Sequence, residues 1–403
     1  MRTLALSLLL ALPASSARAD SSPDPKRLAV PPEVTLRAQE LVGQLGNDEF
    51  AAREAAHARL AKMGRLAKPA LTSAAATHPD PEVRSRCREL LPKAAAEDMK
   101  ARLDTFLADA DGKYEHDLPG WNEFKKITGS TPGSRELFTE MMNDPTNRAL
   151  LMAFGGSGAD LGLLVANRKT EFYNWRFPRV LANGTVSNPS RREPTAADVT
   201  ALLFAESFVE SHKIPRTIAI STLFLTGAFS QAARDTSTER GRAIRAVVVK
   251  WVETRDDPAQ MSQVMSVAGT LEIKEVAGVA AKVLAGGGTA PTRLTAAYAI
   301  ARHDGKQYAA ALEKALDDTA AYTLRTSVNG QLTSREIQVR DAALAALLLL
   351  SGQKPADYGF VEQYTGGTAN FSYSARTLPD AARDAAIEKW KAWRAKNPDW
   401  AKK

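Results

Sequence analysis

The sequence predicts an all-α fold of short, paired helices, with a small β-hairpin inserted near residues 322–337. Apolar residues recur at helical spacing, and the runs end at glycine, aspartate or proline. Two helix pairs near the N-terminus echo each other. Asn329-Gly330, flanked by two strand-like segments, is the strongest short-range signal for a hairpin turn.

The first nineteen residues have the pattern of an export leader. Arg2 supplies a positive start, a short apolar run follows, and a small-x-small sequence ends at Ala19. The apolar run is far shorter than the roughly 20 residues that a membrane helix needs. The sequence therefore predicts a signal peptide over 1–19, cleavage between Ala19 and Asp20, and a secreted or periplasmic protein without a transmembrane span.

The charge balance is weakly basic. Lysine and arginine number 53 against 46 acids, a net charge of +7, and removal of the leader lowers that charge by two. Such a small excess favours mild attraction to anionic surfaces, and it lacks the clustered footprint of a nucleic-acid binder. The single cysteine excludes a disulfide scaffold and a cysteine-based zinc module. A protein partner is expected, with an envelope polymer or anionic surface as the other possibility.

The second helix of each N-terminal pair begins with an acid that an arginine follows about one turn later. Asp48 precedes Arg53 in this way, and Asp80 precedes Arg84. Asp80 also stands before a proline and a glutamate, the pattern of a helix N-cap. Small residues at neighbouring positions suit close helix stacking.

Residues 69–71 (Pro-Ala-Leu) and 78–84 (His-Pro-Asp-Pro-Glu-Val-Arg) resemble a HEAT-repeat unit. The resemblance implies an irregular right-handed α-solenoid in which the Asp and Arg of the second segment bridge adjacent repeats. Over most of its length, including residues 118–121 and 339–341, the chain is similar to exported bacterial HEAT-like proteins of unassigned function. That resemblance carries no catalytic residues.

Composition and helix breaks predict six segments. They are the signal peptide (1–19), a linker (20–32), N-terminal HEAT-like repeats (33–97), an irregular helical middle region (98–250), HEAT-like repeats with the hairpin insertion (251–356) and a C-terminal capping segment (357–403). In the middle region, the helices expected at 196–211 and 214–233 are apolar over much of their circumference, which predicts a central position.

Residues suited to catalysis or metal binding are scattered. The histidines are His57, His78, His116, His212 and His303. None forms a His-x-x-x-His pair, so no zinc site is expected. Cys87 lies on an apolar helical stripe, where a small buried hydrophobe is expected. Ser157 lies in a glycine-rich stretch that lacks the Gly-x-Ser-x-Gly spacing and a preceding strand, which indicates a connection and not a nucleophile elbow.

Acidic pairs are expected to have structural roles. Asp256-Asp257 and Asp317-Asp318 stand where the next helix needs a cap. Residues 109–112 (Asp-Ala-Asp-Gly) match a fragment of a calcium loop without its later bidentate acid. The sequence therefore assigns no catalytic residue, no cofactor and no metal ligand.

Two surface groups have competing interpretations. Basic side chains gather on one predicted helix, at Arg84, Arg86, Arg88 and Lys93. A solvated helix face is expected there, and one wall of a basic groove is the alternative. Trp390 and Trp393 are expected to cover the last repeat, with partner or membrane-interface contact as the alternative.

The predicted function is that of an exported, non-catalytic interaction scaffold. Stacked repeats build long concave surfaces, which suit a protein or an extended polymer, and the hairpin at 322–337 is a further contact candidate. One alternative is an enzyme with a cleft in residues 118–250, where His116 or His212 would meet carboxylates. The other is a structural envelope protein held by its basic residues.

Overall fold

The chain is mostly helical, which confirms the predicted all-α class. The computed structural model describes residues 22–155, 160–177, 193–210, 213, 227–257, 260–286, 288–328, 331–362 and 371–402. The predicted signal peptide, Ser157, His212 and Asn329-Gly330 lie outside these residues. No helix in the described ranges is long and apolar enough to span a bilayer.

The chain divides into two compact units, an N-terminal unit (Met1–Asp117) and a C-terminal unit (Leu118–Lys403). The N-terminal unit contains α1 (Pro32–Gln44), α2 (Phe50–Met63), α3 (Lys68–Thr77) and α4 (Pro81–Ala108). The apolar stripes of these helices share one core that includes Leu41, Leu60 and Cys87. Burial raises the pKa of the Cys87 thiol, so this side chain is the buried hydrophobe that its stripe predicts.

Helix α4 continues for 28 residues, through Pro92 and across the predicted segment boundary at residue 97. Contacts with the α2–α3 connection hold its second half. Asp98 of α4 forms an ion pair with Lys68, with 2.5 Å between Oδ2 and Nζ. The Glu97 carboxylate accepts the backbone N–H of Arg65 at 3.1 Å.

Gly64 makes this contact of Glu97 possible. Its φ of +54° is a left-handed conformation that side chains disfavour, and a Cβ there would lie 1.8 Å from Glu97 Oε2. Glycine at the end of α2 therefore allows the chain to turn and leaves room for the Glu97 carboxylate, which links α4 to the backbone of Arg65.

The C-terminal unit holds the remaining helices and two small antiparallel sheets. Its elements are α5 (Trp121–Thr128), α6 (Pro132–Asn143), α7 (Pro145–Met152), α8 (Leu161–Arg176), α9 (Ala196–Glu206), α10 (Gly227–Arg234), α11 (Glu239–Glu253), α12 (Met261–Thr270), α13 (Val276–Gly286), α14 (Ala290–Arg302), α15 (Ala309–Lys314), β1 (Ala321–Val328), β2 (Gln331–Gln338), α16 (Val339–Leu350), β3 (Val361–Glu362), β4 (Arg376–Thr377) and α17 (Asp380–Lys396). Every residue of α9 is buried, which confirms its predicted central position.

Asp198 on α9 belongs to a buried polar network at the centre of this unit. Burial alone would raise the pKa of Asp198, but hydrogen bonds from Thr195 and Asn147 and the charge of Arg168 lower it. The Asn147 Nδ2 and Arg168 Nη2 groups donate to Asp198 Oδ1 at 2.7 and 3.0 Å. The network therefore joins α7, α8 and α9 through charge-assisted hydrogen bonds.

One arginine contact recurs at helix starts in both units. In α2, α4, α7, α11 and α14 the fourth residue is arginine, and its guanidinium donates to backbone carbonyls five or six residues earlier. The carbonyls belong to the turn that enters the helix. Each contact closes that turn against its own helix, because the guanidinium carries several donors in a fixed plane.

Arg84 and Asp80 make contacts that are local in the structure. Arg84 donates to the carbonyls of His78 and Pro79, and Asp80 accepts the backbone N–H of Glu82 as an N-cap. The ion pairs that join α2 to α4 come from their neighbours. Arg86 contacts Glu54 at 2.8 Å, and Arg53 lies 3.7 Å from Glu82. Asp80 and Arg84 thus shape the turn, and the bridging that the resemblance implies for them is made by Arg86 with Glu54 and by Arg53 with Glu82.

Strands β1 and β2 pair antiparallel over eight residues each, from Ala321 opposite Gln338 to Val328 opposite Gln331. They follow α15 in the chain and lead directly into α16. The backbone N–H of Val339 donates to the carbonyl of Ala320 at the base of the pair. Asp318 also lies at this base, where it contacts Arg293 at 2.9 Å, and does not cap the next helix as its position in the sequence suggests.

Asp341 and Arg383 fasten α17 to α16. Arg383 Nε lies 2.7 Å from Asp341 Oδ1, and Nη2 lies 3.0 Å from Oδ2, with both side chains buried. Asp341 also accepts the backbone N–H of Gln338, which caps the start of α16. Two parallel bonds to a buried carboxylate make this the principal polar link between the two helices.

Replacing Arg383 with Met should lower the free energy of unfolding by about 3 to 5 kcal/mol, because the Asp341 carboxylate would remain buried without its cation. Urea titration followed by tryptophan fluorescence measures this in the C-terminal unit, where all six tryptophans lie. The double variant with Asp341→Leu should recover part of the loss. A double variant less stable than Arg383→Met alone would contradict this account.

His303, next to the end of α14, gives the stability of the C-terminal unit a pH dependence. Burial, with the nearby charge of Arg302, lowers its pKa from about 6.5 to about 4. The neutral ring is favoured in the folded state, so its contribution is complete above pH 6.5 and is lost as pH falls toward 4.

Wild type should therefore lose about 2 kcal/mol more than His303→Gln when the pH falls from 7 to 5. Urea titrations at the two pH values measure the difference. Equal losses in the two proteins would contradict it.

Candidate functional site

The described histidines lie in four separate places. His57 is half-buried on α2 near Glu89, His78 accepts the N–H of Asp80, and His303 follows α14. His116 is the most enclosed, and it lies near the end of the N-terminal unit. The structure therefore does not bring these four residues together.

His116 pairs with Asp109 inside the loop that follows α4. The Nε2 and Oδ2 atoms are 3.0 Å apart, and both residues are buried. Asp109 also accepts the backbone N–H groups of Lys113 and Tyr114. The carboxylate expected in a calcium-loop fragment thus organises its own loop, and the His116 pair lies outside the 118–250 region where a catalytic cleft was one expectation.

The predicted basic cluster on α4 is partly neutralised by acids. Arg86 lies 2.8 Å from Glu54 and 3.1 Å from Glu82, and these hydrogen bonds raise its pKa. Arg84 is engaged with carbonyls, and Lys93 lies 4.0 Å from Glu97. Carboxylates therefore compensate Arg86 and lie near Lys93, whereas neutral carbonyls hold Arg84 and the Arg88 side chain is exposed.

A wide groove runs along the exposed side of α11 in the C-terminal unit. This α11 groove has a volume of about 730 Å³, a size typical of ligand sites, and its described lining comes from α5, α11, Phe208 and the turns before α11 and α13. Its apolar surface consists of Ile127, Phe208, Ala246 and Val249. Phe208 is 44% exposed, so the groove presents a large unburied aromatic side chain.

Charged side chains of both signs surround this apolar surface. The cations are Lys126, Arg242, Arg245 and Lys250, and the acids are Glu123, Glu253 and Glu275. None of the seven has an ion-pair partner within 4.0 Å among the described residues. Along α11 the lining carries the cations Arg242, Arg245 and Lys250 and ends with the acid Glu253.

The two arginines are held by backbone carbonyls and not by acids. Arg242 donates through Nη1 to Thr236 and Ser237, which leaves its Nε and Nη2 without a hydrogen-bond partner among the described residues. Arg245 donates to the carbonyls of Leu271 and Glu272 at the end of α12. Neutral acceptors fix both guanidinium groups and leave their charge uncompensated.

A buried ionic cluster lies at the end of α9 and fixes one edge of the groove. Glu206 is fully buried, and its Oε1 lies 3.1 Å from Lys169 Nζ and 3.3 Å from Arg255 Nη1. Arg255 also donates to the carbonyls of Glu206 and Val209. These bonds hold the chain on both sides of Phe208, so the cluster positions the aromatic side chain of the groove.

Comparison with known proteins gives no match: no family model, no curated protein and no solved structure corresponds to this chain. The chemistry of the α11 groove is therefore defined by its own residues. Its described lining contains no His, Cys or Ser. In the part of the chain that the structure describes, no three His, Cys, Asp or Glu side chains gather as metal ligands. The groove offers apolar surface and unpaired charge.

Sequence reasoning did not single out the α11 groove. A signal was present, because Arg242, Arg245, Val249 and Lys250 fall on one helical stripe opposite the buried positions of α11. A valine among charged residues on the solvent side of a helix indicates an apolar patch on the surface. The opposing walls were not predictable, since α5 and Phe208 are far from α11 in the sequence.

Replacing Glu206 with Gln should lower the free energy of unfolding by about 3 to 5 kcal/mol, because Lys169 and Arg255 would remain buried without a counter-charge. Urea titration followed by tryptophan fluorescence measures the loss. The matched control is Asp384→Asn, which removes the 3.3 Å ion pair of a carboxylate that is 89% exposed and should change stability by less than about 1 kcal/mol. Similar losses in the two variants would show that the buried charge of Glu206 contributes no more to stability than an exposed ion pair does.

Proposed function

We propose that this chain is an exported, non-catalytic interaction module of the HEAT-like α-solenoid type, and that it binds an extended polypeptide segment in the α11 groove. The solenoid interpretation is supported by the packing of consecutive helices such as α1 with α2, α3 with α4 and α13 with α14, and by the recurring arginine at helix starts. Export rests on the leader predicted over residues 1–19.

The observation that carries the proposal is the unpaired charge around an apolar floor. None of the seven charged side chains has an ion-pair partner among the described residues, and neutral carbonyls alone hold the two arginines, so their charge is available to a ligand. A ligand that brings complementary charges gains both specificity and attraction. Ala246 and Val249 between the charged ends provide apolar area for an anchoring side chain.

The length of the groove defines the length of the ligand. From Arg242 to Glu253 the helix rises about 16 Å, at 1.5 Å per residue. An extended polypeptide covers this distance with about five residues. We assign the ligand an acidic residue opposite Arg242 and Arg245, apolar residues opposite Ala246 and Val249, and a basic residue opposite Glu253, the last charged residue of α11 in the lining.

Fluorescence anisotropy with a labelled peptide Ser-Asp-Leu-Ala-Leu-Lys-Ser tests this assignment. Wild type should bind it saturably, and a peptide with the Asp and Lys exchanged should bind at least about tenfold more weakly, which corresponds to about 1.4 kcal/mol. Val249→Glu should weaken binding by a similar factor, because it places a charge on the apolar floor.

Lys314→Glu is the matched control, since it adds an acid at an exposed position of α15 outside the groove lining and should leave binding unchanged. Circular dichroism checks that each variant is folded. Equal affinity for the two peptides, or unchanged affinity in Val249→Glu, would exclude the α11 groove as the binding site.

A further inference from the structure

A second pocket lies at the C-terminal end of the chain and shares no described lining residue with the α11 groove. Its volume is about 370 Å³, and its walls come from the end of α17, the 3₁₀ turn Trp400–Lys402, the end of α16 and Lys306. The size lies within the range of small-molecule sites. All of its walls belong to the C-terminal unit.

Two tryptophans form the aromatic wall of this pocket. Trp393 and Trp400 have ring centroids 6.0 Å apart with planes at 61°. Trp390, which is almost completely buried, lies beneath both, at 5.0 Å from Trp393 and 5.6 Å from Trp400. The buried ring fixes the outer two, so the half-buried indoles are a preorganised apolar surface.

Two lysines without ion-pair partners give this pocket an excess of positive charge over its one described acid. Lys306 and Lys396 both line it, and neither has a carboxylate within 4.0 Å among the described residues. Asp399 also lines the pocket, but Lys402 neutralises it at 3.0 Å. An anionic group on a ligand would therefore be attracted to the two lysines.

Polar groups complete the lining. Asn397 uses its Nδ2 to donate to the Trp393 carbonyl, which leaves its Oδ1 without a partner among the described residues. Ser351 supplies a hydroxyl at the end of α16. Acceptors and donors of this kind recognise hydroxyl groups, which are both donors and acceptors themselves.

We infer that this pocket binds an acidic saccharide, a pyranose that carries a carboxylate. The C–H groups on one face of a pyranose ring pack against an indole, which suits Trp393 and Trp400. The ring hydroxyls suit Asn397 and Ser351, and the carboxylate suits Lys306 and Lys396. A neutral sugar has no anionic group to pair with the two lysines, and an aromatic acid such as benzoate has no hydroxyl groups to bond with Asn397 and Ser351.

Isothermal titration calorimetry with digalacturonate on the full chain tests the inference. Saturable binding is expected, at least about tenfold tighter than that of the neutral disaccharide galactobiose or of benzoate. The double variant Lys306→Gln/Lys396→Gln should weaken it by at least about tenfold, and Trp393→Ala by a similar factor. The matched control Lys391→Gln removes a charge from the same helix outside the pocket and should bind like wild type.

The lysine variant keeps the test valid if Trp393→Ala fails to fold, since exposed or half-buried lysines contribute little to the core. Absence of saturable binding would overturn the inference. Equal binding of galactobiose, stronger binding of benzoate, or unchanged affinity in the lysine variant would overturn it as well. Peptide binding in the α11 groove is measured separately, so each proposal can fail alone.

Discussion

The fully buried carboxylate of Glu206 is the constraint on which the arrangement of the C-terminal unit depends. It ends a helix with no exposed face, so water does not reach it and its charge must be compensated from within the protein. Lys169 from α8 and Arg255 from beyond α11 both contact it. Three segments that are distant in the sequence must therefore arrive together. Phe208 lies two residues after Glu206, and Glu253 lies two residues before Arg255. The need to compensate the buried carboxylate therefore also positions two edges of the α11 groove.

A second constraint acts at the helix starts. Arginine at the fourth helical position satisfies carbonyls of the entering turn in both units, whether these belong to histidine and proline, as before α4, or to threonine and serine, as before α11. The guanidinium replaces hydrogen bonds that the turn would otherwise make with water. Since the contact uses only backbone acceptors, the side chains of the turn are free to differ. The entry into these helices can then be kept while the side chains of the turn vary.

Local signals in the sequence predicted local structure well. Helical periodicity, the Asp80 cap and the apolar circumference of α9 correspond to elements that the structure contains. Helix α4 continues through Pro92 and past residue 97, where a segment boundary was predicted, and the contact of Asp98 with Lys68 holds the part of the helix beyond the proline. The ionic cluster at Glu206 and both pockets were not predictable from the sequence. Each is assembled from residues more than thirty positions apart, and periodicity carries no information about such distances.

The base of the β1–β2 pair is a position at which this chain can tolerate insertions and deletions during evolution. The chain leaves the helical stack at Ala320 and returns at Val339, and a backbone hydrogen bond of 2.9 Å joins these two residues. An insertion whose two ends already touch imposes no strain on the helices around it, however long it becomes. The junction between α15 and α16 is thus a natural site for acquiring, losing or exchanging a segment, and a foreign loop or small domain grafted there would leave the helical framework intact.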